Sequence, residues 1–229
     1  MCTLSWSRSE KGLEVWFNRD EQKSREVAIP PALQPANGPG KRRFLAPIDP
    51  QAGGTWLAAN EAGVVVALLN RWHEASSVTA TRSRGALVWE LAGRLGKGDL
   101  SEFGPGDLEG YAPLTLVVFF PQGEVVWHWD GQRAWREEMP KLLTSSGYRF
   151  EEVKASRLSD FSKGRRGEVL HGSEGQKPSP FTVRMLRGDA QTWSRSRIWV
   201  TDLQIFWDYW AEERDLRGPA RHFAVELDR

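Results

Sequence analysis

The strongest constraint on the fold is a run without alternation, Gly63-Val64-Val65-Val66-Ala67-Leu68-Leu69. Its length suits a strand, and the absence of polar residues at every second position means that both of its faces are buried. Such a strand needs a layer on each side, a helix layer on one and a facing sheet on the other. Residues 55–59 precede it across Asn60-Glu61-Ala62-Gly63, which predicts a hairpin. The run ends on Asn70, a polar residue at the mouth of a buried strand, where an asparagine commonly serves as a turn residue.

A second hairpin is predicted at the start of the chain. Cys2-Thr3-Leu4-Ser5-Trp6-Ser7 and Leu13-Glu14-Val15-Trp16-Phe17-Asn18 both alternate, with Arg8-Ser9-Glu10-Lys11-Gly12 as the turn. Placing Ser7 opposite Leu13 sets Cys2 opposite Asn18, so the hairpin delivers Cys2 to Asn18-Arg19-Asp20-Glu21. Cys2 is the only cysteine and directly follows Met1. If Met1 is removed, which a small side chain at position 2 permits, thiol and α-amine lie on one residue. That is a nucleophile with its own base, since the thiol has a pKa of about 8.5 and the amine about 7.7. A carboxylate in the tetrapeptide suits the amine, and a guanidinium suits the thiolate or an anionic substrate. The ordinary alternatives are a small apolar residue at position 2 and a solvated charged strand end at 19–21.

Elsewhere the pattern predicts helices at residues 84–95, capped by Ser83, and at 150–161, with Phe150, Val153, Leu158 and Phe161 inward. Strands are predicted at 114–120, 124–130, 182–186, 197–202 and 204–209. Residues 26–40 and 162–180 read as long exposed loops, the latter carrying a solvated Arg165-Arg166 pair. With 229 residues and 40% hydrophobic content, the expectation is one domain over residues 1–229.

Several classes are set aside. A net charge of +1 with interspersed signs gives no footprint for nucleic acid or an anionic membrane. No apolar run spans a bilayer and no signal-type core opens the chain, so the expected location is cytoplasmic, without membrane insertion. One cysteine allows no internal disulfide. His73-Glu74 lacks a second histidine at metalloprotease spacing, and no zinc set, Gly-x-Ser-x-Gly elbow or phosphate loop is present, so no metal and no cofactor is expected. His128 reads as a strand histidine, and His171 and His222 have no visible partners. The 12 tryptophans are expected mainly in the core.

Met1-Cys2-Thr3 followed by Asn18-Arg19-Asp20-Glu21 resembles the opening of the transport and Golgi organization family, also called the NRDE family. Gly53-Gly54-Thr55-Trp56-Leu57, Asn60, Gly63, Ala67-Leu68-Leu69-Asn70 and Ser83-Arg84-Gly85 extend the resemblance in order. Met185, Asp189-Ala190 and Thr192-Trp193-Ser194 carry it to the last third. The resemblance implies an α+β fold of the N-terminal nucleophile hydrolase type, a four-layer α/β/β/α sandwich, distantly similar to choloylglycine hydrolases and penicillin V acylases.

It also implies roles: Cys2 as nucleophile, Arg19 beside the thiol, Asp20 orienting the amine, and Asn70 as an amide donor to the oxyanion, with Asn18, Ser145 and Gln191 at the substrate. Leu143-Thr144-Ser145-Ser146 stands where those hydrolases carry Thr-Asn-Ser, so Ser145 replaces an amide donor, and Gln191 stands where relatives carry an arginine. The implied reaction is hydrolysis of a non-peptide amide or a thioester. The alternative is a binding or trafficking protein of the same fold for haem or for acyl-CoA or lipid ligands.

Overall fold

The computed structural model describes residues 1–38, 40–71, 79–98, 103–137, 141–211 and 220–228; His73-Glu74 lies outside them. The first half contains β1 (Cys2–Ser9), β2 (Gly12–Gln22), β3 (Ile29–Gln34), β4 (Phe44–Ile48), β5 (Leu57–Asn60), β6 (Val65–Asn70), α1 (Arg84–Arg94) and β7 (Leu114–Phe120). The second half contains β8 (Gly123–Trp129), β9 (Ala134–Arg136), β10 (Leu142–Ser145), α2 (Phe150–Ser162), α3 (Gly167–His171), β11 (Ala190–Val200), β12 (Gln204–Ala211) and β13 (Arg221–Glu226).

Among the described residues the strands form two sheets, ordered β10-β1-β2-β11-β12-β13 and β3-β4-β5-β6-β7-β8-β9. All of their pairings are antiparallel. The run at 63–69 explains the layering. Val65, Ala67 and Leu69 enter the core between the sheets, against Leu4, Val15, Phe17, Ile198 and Trp207. Val66 and Leu68 enter a second core, beneath Leu87, Val88 and Leu91 of α1. On the far side, α2 packs on β10 and α3 on β2, closing over Leu142, Leu170 and Val183. The result is the expected four-layer α/β/β/α sandwich.

Several local expectations are corrected. The first hairpin pairs Ser7 with Glu14 and Cys2 with Arg19, one residue from the expected register. The strands run on to Ser9 and Gly12, leaving a tighter turn in which Gly12 has φ of +119°. A side chain at Gly12 would meet the Val200 carbonyl at 2.0 Å, so only glycine fits. Residues 26–40 contain β3, an edge strand whose Pro30 and Pro31 fall within its register shift, as proline requires. Residues 162–180 contain α3, with His171 fully buried, and Arg165 and Arg166 at the surface donate to main-chain carbonyls. Residues 182–186 make isolated bridges, Ser179 with Met185 and Leu186 with Gln191, rather than a strand. Ser83 occupies the N-cap of α1 without a side-chain cap bond.

The N-terminal turn of α1 rests on the loop before β5 without intervening side chains. A Cβ on Gly54 would lie 2.7 Å from the Gly85 carbonyl carbon, and one on Gly85 would lie 3.0 Å from Gly54 Cα. Gly54→Ala and Gly85→Ala are each expected to lower stability by ~1–3 kcal/mol through overpacking. Thermal melts showing either variant unchanged would contradict this contact.

Candidate functional site

Strand β1 is paired on both edges, so Cys2 lies between Arg19 of β2 and Ser145 of β10. Directly opposed residues share a face. Cys2 and Arg19 therefore both point between the sheets, where they line a cavity of about 490 Å³ together with Trp56, Asn70 and Arg84. The flanking residues of β2 point the other way, towards the helices.

The Arg19 guanidinium lies 4.5 Å above the Trp56 ring and its Nη2 donates to Asp49 Oδ2 at 2.9 Å. Arg25 donates to the same oxygen at 2.8 Å. Burial pushes the Asp49 carboxyl up, but the Arg25 hydrogen bonds and the charges of both arginines outweigh it and hold it below the usual range. Burial also pushes the Cys2 thiol up to about 11; the opposing terminal ammonium and Arg19 do not overcome it, and Asp20 adds to the rise. The expected gain in thiolate is thus absent while Met1 is attached.

Asp20 differs from expectation. Its carboxylate accepts from Thr192 Oγ1 at 2.7 Å and from Arg157 Nη2 at 3.3 Å, on the helix side of the sheet. The Met1 amine donates instead to the Asp20 carbonyl, and the Asp20 N–H donates back to the Met1 carbonyl, each at 2.8 Å. Asn18 also faces the helices. Its Nδ2 donates to the His171 and Val183 carbonyls, and it is fully buried, away from the cavity. Ser145 Oγ accepts from the Cys2 main-chain N–H at 3.0 Å, directly beside the residue that carries the thiol. Gln191 is paired with Glu21 in the ladder between β2 and β11; Glu21 lines the cavity and Gln191 does not. Asn70, at the end of β6, lines the cavity. The cavity thus unites Cys2, Arg19, Asn70 and the main chain of Asp20; Asn18, Ser145 and Gln191 lie around it.

Arg157 was missed by the sequence reading. It is fully buried on α2 and donates to Thr3 Oγ1 at 2.5 Å and Thr144 Oγ1 at 2.8 Å besides Asp20. Its signal was positional: it lies four residues after Val153 and four before Phe161, on an inward stripe. His171 does have partners. Because Asn18 Nδ2 is occupied by two carbonyls, Asn18 Oδ1 accepts from His171 Nδ1 at 2.7 Å, and Nε2 then accepts from Ser5 Oγ at 2.7 Å. The imidazole is neutral. His222 contacts Asp208 and His128 contacts Thr115. Among the described residues no group of three or more His, Cys, Asp or Glu side chains could hold a metal, and no helix is long and apolar enough to cross a membrane.

The sequence profile of Transport and Golgi organisation 2 matches residues 1–132. The chain belongs to that family. No curated protein sequence matches this family member. Among solved structures, it is similar to a mutant conjugated bile acid hydrolase from Clostridium perfringens, at 12% identity and a TM-score of 0.58, covering 99% of this chain and 92% of that one. It is also similar to the Caenorhabditis elegans ortholog of N-acylethanolamine-hydrolyzing acid amidase, at 10% identity and a TM-score of 0.56, covering 86% and 92%. These likenesses establish an N-terminal nucleophile hydrolase fold.

Burial, with the charges of Arg195 and Arg157, pushes His171 down to about 3 from an ordinary 6.5. Between those values the unfolded chain binds a proton that the folded one does not, so stability present above pH 6.5 is lost as pH falls towards 3. Urea unfolding of this family member across that window is expected to show this decline. His171→Gln should be less stable at neutral pH but have a shallower pH slope; an unchanged slope would remove His171 as a cause.

Proposed function

We propose that the protein is an N-terminal cysteine nucleophile hydrolase that cleaves a non-peptide C–N amide, or a thioester, once Met1 has been removed. The observation carrying this reading is that the only thiol of the chain lines a cavity shared with Arg19 and Asn70. The fold of an enzyme named for conjugated bile acids and of one named for N-acylethanolamines adds support.

In this reading the Cys2 thiol gives its proton to the Cys2 α-amine, and Sγ attacks the substrate carbonyl carbon. The carbonyl oxygen becomes an oxyanion that accepts a hydrogen bond from the Asn70 amide. Collapse breaks the C–N or C–S bond, and the leaving amine or thiol takes the proton from the ammonium. Water, deprotonated by the same amine, then hydrolyses the Cys2 thioester and releases the acid. Ser145 Oγ, already 3.0 Å from Cys2 N, accepts from the amine. Asp20 is a positioning residue, fixed through Arg157 and Thr192. A single cytoplasmic domain over residues 1–229 accords with this reading. One observation favours a second reading, a binding protein for a haem, acyl-CoA or lipid ligand: with Met1 attached, burial holds the thiol protonated, at a pKa of about 11.

Intact-mass analysis is expected to show Met1 absent, and iodoacetamide should alkylate Cys2 faster than a free model thiol near neutral pH. In a screen of amides and thioesters, Cys2→Ala should abolish turnover and Asn70→Ala should lower kcat by ~10²–10³. Full retention of Met1 in the purified protein would refute the hydrolase and favour the binding reading.

A further inference from the structure

Ser83-Arg84-Gly85 has no part in the thiol chemistry above, yet it forms one wall of the cavity into which Cys2 faces. These residues are the N-cap and the first turn of α1, an 11-residue helix. The first N–H groups of a helix have no intrahelical acceptor, and its dipole adds partial positive charge at that end. No acidic residue occupies this first turn, and Ser83 supplies no side-chain cap. The turn is held rigidly, through the Gly54–Gly85 backbone contact and a Thr55 N–H bond to the Gly85 carbonyl at 3.3 Å. Arg84 itself is half-buried, anchored by Nη1 on the Pro113 carbonyl at 2.9 Å.

A second observation comes from Arg19, which is only 4% exposed and lines the same cavity. Its Nη2 is bound to Asp49, but Nη1 is buried without a hydrogen-bond partner among the described residues. A buried guanidinium donor left unpaired is costly, and it adds an unmet demand for an acceptor to the wall of this cavity. The charges agree. Arg19, Arg25, Arg82 and Arg84 line the cavity, whereas only Glu21 and Asp49 bring carboxylates to it, the Asp20 carboxylate being turned towards Arg157.

We propose that the first turn of α1 with Arg84, in the cavity that the Arg19 guanidinium also lines, forms a subsite for an anionic oxygen group, a carboxylate or a phosphate. If the hydrolase reading holds, the substrate is an acyl amide or thioester that carries such a group, and Arg84 determines specificity by fixing the anion while the scissile carbonyl meets Cys2.

Calorimetric titration of the purified full chain with hexanoate, hexyl phosphate and hexan-1-ol, none of which carries an amide or thioester, tests the subsite without turnover. At least one anion is expected to bind about 10–100-fold more tightly than the neutral alcohol, the span of charge-assisted hydrogen bonds, and the tighter anion identifies the group. Arg84→Gln should erase the preference and Arg84→Lys should keep part of it. Equal affinity for all three ligands, no binding of any, or a preference undiminished in folded Arg84→Gln would overturn the proposal. The wild-type comparison is decisive even if that variant misfolds. An anion preference in protein that retains Met1 would sink the hydrolase reading alone; a processed, reactive Cys2 without anion preference would sink the subsite alone.

Discussion

One buried guanidinium joins the parts on which the site depends. Arg157, reaching down from α2, binds Thr3 of β1, Thr144 of β10 and Asp20 of β2, so a single charged group spans three neighbouring strands beneath a helix. A cation so buried needs its charge balanced, and here Asp20 faces Nη2 while two threonine hydroxyls accept from Nη1, leaving Nε without a hydrogen-bond partner among the described residues. The pairing of Cys2 with Arg19 and Ser145 is the other face of the same arrangement. Polar residues of β1 and β2 face the helices and the thiol and Arg19 face the cavity, because strand geometry sends successive side chains to opposite sides.

This division explains how much of the site was legible in the sequence. The doubly buried run at 63–69 disclosed the layers, and alternation disclosed the first hairpin. The ordered motifs brought Cys2, Arg19, Asp20 and Asn70 into consideration, and each contributes side chain or main chain to the cavity lining. The register of the hairpin was not legible to one residue, because the turn lies at Glu10-Lys11 and depends on Gly12 passing close beneath Val200, more than 180 residues away in sequence. That one step decides which of Asn18 and Arg19 faces the thiol.

The less regular parts were harder to read for a related reason. α3 is a single short turn of helix in a Gly- and Ser-rich stretch, and what holds it is the His171 contact with Ser5 and Asn18, made between residues more than 150 positions apart. β3 carries two prolines, which local composition assigns to a loop and an edge position tolerates. Arg157 broke an apolar stripe, and only the fold reveals that its partners come from three strands. In each case long-range pairing overrides what the local sequence favours.

The hydrogen bonds of Met1 bear on what its removal would do to the sheet. Met1 occupies the last rung of the ladder between β1 and β2, closing both main-chain groups of Asp20. Were Met1 excised, that rung would be lost, leaving one N–H and one carbonyl of Asp20 exposed beside the thiol, at the margin of the cavity. Processing would then do more than unmask an amine. It would cut a notch into the sheet margin, with one donor and one acceptor side by side.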